Sequence, residues 1–237
     1  MNTPPGRFLY LWRASLYPAN DPVSYARTLG VTGVFVQGSD EATCRKAVET
    51  FGRDNVFLWS FPGSFLPENA AATVALLASR AERWGCAGLL ADVENAPKWA
   101  GQDGALGNLI LAIRAAEAKG LSVGVTSFPS WHREYLTRLA RETGVWGSVQ
   151  CYGRDGQDSA TLRGWADRWR SIFGAARTSV SVWSAAGSRR ENARANYLRI
   201  FANERSVLIF QSPVPKPDTV AFAIERAFCE GQSDPFD

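Results

Sequence analysis

Short runs of unbroken apolar residues alternate with longer stretches whose apolar residues recur every three or four positions, and the alternation continues along nearly the whole chain. Runs apolar on both sides of the backbone suit strands covered on both faces, as in a parallel sheet. They occur at residues 7–15, Gly33–Gln37, 55–60, 88–95, Ser122–Ser127, 145–151, 178–183 and Ser206–Gln211. Between them lie helical patterns at residues 23–29, Glu41–Phe51, 74–84, 106–118, 135–139, 162–172 and 193–201, with a closing helix at 219–228. The clearest has Val74, Leu77, Ala81 and Trp84 on one face, Arg80, Glu82 and Arg83 on the other, and Gly85 at its end. Strand–helix alternation implies parallel strands joined by right-handed crossovers. Eight such units in 237 residues point to one α/β domain over residues 1–237, a (β/α)8 barrel. A doubly wound open sheet is the alternative, and no Gly-rich phosphate loop follows the first strand to favour it.

Composition narrows the function classes. The net charge of +3 comes from an Arg-heavy surface with four lysines and no basic block, so nucleic acid is not an expected partner. No apolar run reaches membrane-spanning length, and the apolar patch at residues 8–12 is too short for a signal peptide. The expectation is a protein made in the cytoplasm, with any export by another route or within a virion. Cys44, Cys86, Cys151 and Cys229 are far apart and His132 is the single histidine, so no metal site is expected. The cysteines read as reduced core thiols, with disulfides open in an oxidising compartment. No organic cofactor is implied.

The chemistry concentrates in Gly-Leu-Leu-Ala-Asp-Val-Glu-Asn-Ala-Pro-Lys-Trp, residues 88–99. Pro97 cannot donate to a ladder, which ends the strand near Asn95. Side chains alternate, so Asp92 and Glu94 are expected on the same side, at the carboxyl end where barrel enzymes place their sites. The other strand ends supply Trp12 and Arg13, Gln37, Trp59, Trp99, Phe128 with Trp131, Gln150 with Tyr152, Trp183 and Gln211. Aromatics, amides and carboxyls in a ring suit a sugar, since rings pack on pyranose faces and amides bond hydroxyls. The plainer reading is that strand-end tryptophans cap the core and that the carboxyls pair with Arg13 or another arginine. His132 reads as a loop or helix-start residue. Arg189, Arg190, Arg194 and Arg199 read as a solvated helix face.

Ala91-Asp92-Val93-Glu94 resembles the Asp-x-Glu signature of family 25 glycoside hydrolases, the N-acetylmuramidase lysozymes. Gly33 to Val36, Leu121 to Trp131, Val145 to Tyr152 and the Phe210-Gln211 pair resemble further strands of that family, in the same order. The resemblance implies a glycosidase cleaving an N-acetylated polysaccharide such as peptidoglycan, with Glu94 as general acid and Asp92 orienting substrate. Water would then be activated by Asp155, Asp158 or Asp218, or the substrate's acetamido group would act as nucleophile held by Asp92 and Tyr152. Two departures stand against it: Trp12-Arg13 replaces the family's strand-one Asp, and late helices that the family lacks are kept. A barrel retaining a sugar groove without turnover, as a module of a phage particle or secretion device, is the second reading, its assembly partners unspecified. A chitin-type hydrolase is the third, without that group's multi-Asp motif.

Overall fold

Eight parallel strands close on themselves in chain order, as the alternation requires. They are β1 (Gly6–Leu11), β2 (Gly33–Gln37), β3 (Val56–Trp59), β4 (Gly88–Asp92), β5 (Ser122–Ser127), β6 (Trp146–Gln150), β7 (Thr178–Ser184) and β8 (Ser206–Gln211). The structure, a computed structural model, describes residues 2–94, 96–152, 158–184, 200–211 and 214–231. Closure is made at Phe8, which is in register with Gly33 of β2 on one side and Leu208 of β8 on the other. The helices outside the barrel are α1 (Pro22–Leu29), α2 (Glu41–Phe51), α3 (Ala70–Trp84), α4 (Ala96–Trp99), α5 (Asp103–Ala118), α6 (Arg133–Glu142), α7 (Ser159–Phe173) and α8 (Val220–Cys229). Among the described residues no helix is long and apolar enough to cross a membrane.

Local sequence sets the helix limits. Asp21, Asp40, Asp158 and Thr219 each accept a backbone N–H with their side chains and so cap α1, α2, α7 and α8. Gly85 ends α3 in the left-handed conformation, which costs glycine least. Three boundaries differ from the sequence reading. β1 stops at Leu11 because 3-10 turns begin at Ala14 and Pro18, which leaves Trp12 and Arg13 beyond the strand. β4 stops at Asp92, so Glu94 sits in the following loop. Trp99 ends the short helix α4, where a loop was expected. Asp155, the four arginines at 189–199 and most of the expected helix at 193–201 lie outside the described residues.

Two apolar layers result from the alternation. Outward residues such as Leu9, Val34, Leu58, Leu89, Val125 and Val149 pack beneath the helices. Inward residues Phe8, Tyr10, Phe35, Phe57, Trp59, Leu90, Trp146 and Leu208 fill the barrel. The filling is lopsided. Strands β1 to β3 send in rings that contact one another at 5.2 to 5.9 Å between centroids. Strands β5 to β7 send in Gly124, Thr126, Ser148 and Ser181. Trp146 enters from β6, with its indole N–H donating to Ser122 Oγ at 3.1 Å, and occupies the space that Gly124 leaves open.

A Cβ at Gly124 would lie 2.4 Å from the Trp146 ring, within the barrel where neither side can retreat. Gly124→Ala is therefore expected to lower stability by about 1–3 kcal/mol through overpacking. At Gly107, in α5, a Cβ meets nothing within 4 Å, and Gly107→Ala is expected to raise stability by about 0.5–1 kcal/mol. Urea midpoints of the two variants check both signs.

Candidate active site

The register of β4, β5 and β6 brings two carboxyls and one amide together at the carboxyl mouth. Asp92 lies beside Thr126, and Thr126 beside Ser148. Gln150 is the next inward residue above Ser148, so its side chain lies over Thr126 and reaches Asp92. Gln150 Nε2 donates to Asp92 Oδ1 at 3.0 Å and to Glu94 Oε1 at 2.7 Å. Both amide hydrogens are thereby committed to carboxyl oxygens. Gln150 Oε1 is buried and has no hydrogen-bond partner among the described residues.

Glu94 reaches this point although it lies beyond the strand, because its loop is pinned from β5 and from the next helix. Val93 N–H donates to Thr126 O at 2.9 Å, and Ser127 Oγ donates to Val93 O at 2.6 Å. The Trp131 indole donates to Glu94 O at 3.0 Å, and His132 Nε2 donates to Ala96 O at 2.6 Å. Trp131 packs edge-on against the fully buried Trp99, whose own indole donates to Phe65 O at 3.2 Å. Trp99 and Trp131 thus form the wall behind the carboxyl loop and fix its course.

Asp92 is 8% exposed, and among the described residues no arginine or lysine pairs with it or with Glu94. Burial, then the Glu94 charge and a hydrogen bond to Glu94, push the Asp92 carboxyl well above the usual range, against the opposing pull of Gln150. Burial also raises Glu94, while hydrogen bonds from Gln150 and Asp92 favour its charged form. The pair therefore keeps one proton over a window above the ordinary carboxyl range, with Asp92 donating it towards Glu94. Below them Tyr10 Oη and Ser181 Oγ are 3.4 Å apart, and Ser181 Oγ and Ser148 Oγ 2.9 Å. Burial keeps the phenols of Tyr10 and Tyr152 protonated, and the nearby carboxyl charges add to this.

The remaining residues expected at the mouth divide. Trp12 packs against Phe61 and Phe210, with centroids at 5.3 and 5.6 Å, and Tyr152 lies 6.3 Å from Phe210. Trp59 is inside the barrel and donates to Leu11 O at 3.3 Å. Gln37 shares the inward side of β2 with Phe35, and Trp183 that of β7 with Ser181. Arg13 is exposed over the Trp12 ring. Gln211 faces outward, where its amide bonds Tyr25 Oη at 3.1 Å and also the Glu225 carboxylate. Phe128 is exposed, as are Asp158, which caps α7, and Asp218. Phe61, Phe210, Tyr10 and Ser181 belong to the site and were missed. β8 is apolar on both faces, so nothing in Phe210-Gln211 marked the phenylalanine as the inward member.

Among the described residues no three His, Cys, Asp or Glu side chains converge as metal ligands. The site is a closed barrel's carboxyl-end mouth holding a proton-sharing carboxyl pair on one glutamine. No family model matches the chain, and no curated protein matches it. Solved (β/α)8 structures do. The 3-keto-D-glucoside 4-epimerase of E. coli is 14% identical, with 94% of this chain and 96% of that one covered and a TM-score of 0.56. A mutant tryptophan synthase alpha-subunit from Pyrococcus furiosus is 13% identical, with 98% of each chain covered and a TM-score of 0.56. The 3-keto-L-gulonate-6-phosphate decarboxylase of Vibrio cholerae is 11% identical, with 96% of this chain and 98% of that one covered and a TM-score of 0.56.

These likenesses establish the fold, and they correct the family assigned from sequence. The similar structures are barrel enzymes of other kinds, not family 25 lysozymes, and no family model supports the Asp-x-Glu resemblance. The glycosidase reading with Glu94 as sugar-cleaving acid falls with it. Asp92 and Glu94 share one amide and so lie on the same side of the mouth.

A raised folded pKa gives stability that is present at low pH and lost as pH rises towards it. From about pH 4, the usual Asp range, towards neutrality, the native chain is expected to lose about 1 kcal/mol or more relative to Asp92→Asn. Urea unfolding of both across that range is the check. Parallel curves would show that Asp92 has an ordinary pKa.

Proposed function

We propose that the protein is an acid–base catalyst that moves a proton on a small polar substrate seated over Asp92, Glu94 and Gln150. The observation that carries this is the Gln150 amide donating to both carboxyls, which fixes a pair that retains one proton. Glu94, half-buried and the lower of the two, accepts a proton from substrate. Asp92, buried beneath it, holds the proton that is returned or donated to a neighbouring substrate oxygen. The unmet Gln150 Oε1 accepts from a substrate hydroxyl or amine and orients it. Trp12, Phe61, Tyr152 and Phe210 supply the apolar side of the seat.

The reaction class that uses these parts is proton abstraction beside a carbonyl, leading to isomerisation, epimerisation or elimination. Such steps need an acceptor and a donor a few ångströms apart and no opposed second carboxyl. Epimerases and decarboxylases stand among the proteins of like fold, which is consistent with this class but lends no residue to it.

Deuterium uptake from heavy water into a panel of hydroxy-ketones, aldoses and keto acids, followed by mass spectrometry, tests the reading. Catalysed uptake into at least one compound is expected, reduced about 10²–10⁴-fold in Glu94→Gln. Equal uptake by the variant, or none by the native chain with any compound, would remove the proposal.

A further inference from the structure

Two buried thiols far from the carboxyl pair meet at a distance that ordinary packing does not produce. Cys44 lies in the first turns of α2, and Cys86 joins α3 to β4. Their sulfurs are 3.0 Å apart, although the residues are 42 positions apart in the chain. Non-bonded heavy atoms ordinarily settle at about 3.5–4.0 Å, whereas a disulfide holds its sulfurs at about 2.0 Å. Each residue is 0% exposed, within the apolar layer between strands and helices. Neither of the other cysteines is so placed: Cys151 Sγ faces Leu162 O at 3.7 Å, and Cys229 is on α8.

We infer that Cys44 and Cys86 are a disulfide site that ties α2 to the start of β4, the strand carrying Asp92. Closure needs a sulfur approach of roughly 1 Å. A small-molecule disulfide is the oxidant. The Cys86 thiolate attacks one of its sulfurs and releases one thiol. Cys44 then attacks the Cys86 sulfur of the mixed disulfide and releases the second. Two protein thiols and one small disulfide thus become one protein disulfide and two small thiols. Because the finished core seals both sulfurs from solvent, the exchange takes place during folding, and the sealed bridge then resists reduction.

The test is refolding of the reduced, unfolded chain in a mixture of oxidised and reduced glutathione, followed by alkylation in denaturant and trypsin digestion. The tryptic peptides 28–45 and 84–98 each carry one cysteine. The expected result is a cross-linked pair of these peptides, two alkylated cysteines where the reduced chain has four, and a thermal midpoint about 5–15 °C above the reduced form. A folded chain with four alkylated cysteines would overturn the inference. Cys44→Ala guards against a chance pairing: it is expected to fold with Cys86 alkylated. A bridge from Cys86 to Cys151 or Cys229 in that variant would also overturn the assignment.

Discussion

The fixed room inside an eight-stranded barrel governs this molecule. The interior is shared by all eight strands, so large side chains from one side of the barrel require small ones from the other. Phe8, Tyr10, Phe35, Phe57 and Trp59 take most of the space from one side, and Trp146 takes more from β6. The strands opposite answer with Gly124, Thr126, Ser148 and Ser181. That division sets an apolar wall beside a hydroxyl-lined one, and Asp92 and Gln150 project above the hydroxyls. The site is therefore a consequence of how the core is filled, and the same rings that stabilise the barrel set its location.

Burying Asp92 without a cation is costly for its charged form, and the structure resolves this in two ways. The carboxyl holds its proton, and Gln150 supplies hydrogen bonds that neither add charge nor demand it. An arginine in place of Gln150 would have ionised both acids and abolished the shared proton. The neutral amide leaves the pair poised, and the hydrogen bonds from β5 and Trp131 keep Glu94 within reach of Asp92. Trp131 and Trp99 fix the backbone behind the carboxyls, and this differs from the ligand-stacking role their position in the chain implied.

The barrel was legible in the sequence because its signal is repeated eight times and depends only on period and burial. Asp92, Glu94 and Gln150 were legible because polar residues at the end of apolar strands stand out. The orientation of their neighbours was not. Strands buried on both faces carry no alternation to tell inward from outward, which hid Phe210 behind Gln211 and Tyr10 within Phe-Leu-Tyr-Leu-Trp. Partnerships across the fold were equally hidden, for no local pattern links Gln150 to a strand 58 positions away or Trp131 to the Glu94 carbonyl.

The Asp-x-Glu motif shows what such a short pattern does and does not carry. It reports that two acids follow a buried strand, and any parallel barrel can place acids there, since that end opens to solvent and ligand. What decides their chemistry is the third group. Here one amide joins the two acids, and the proton shared between them is what we propose the site uses. In this chain that third group is Gln150, and it comes from β6, two strands away from the motif it controls.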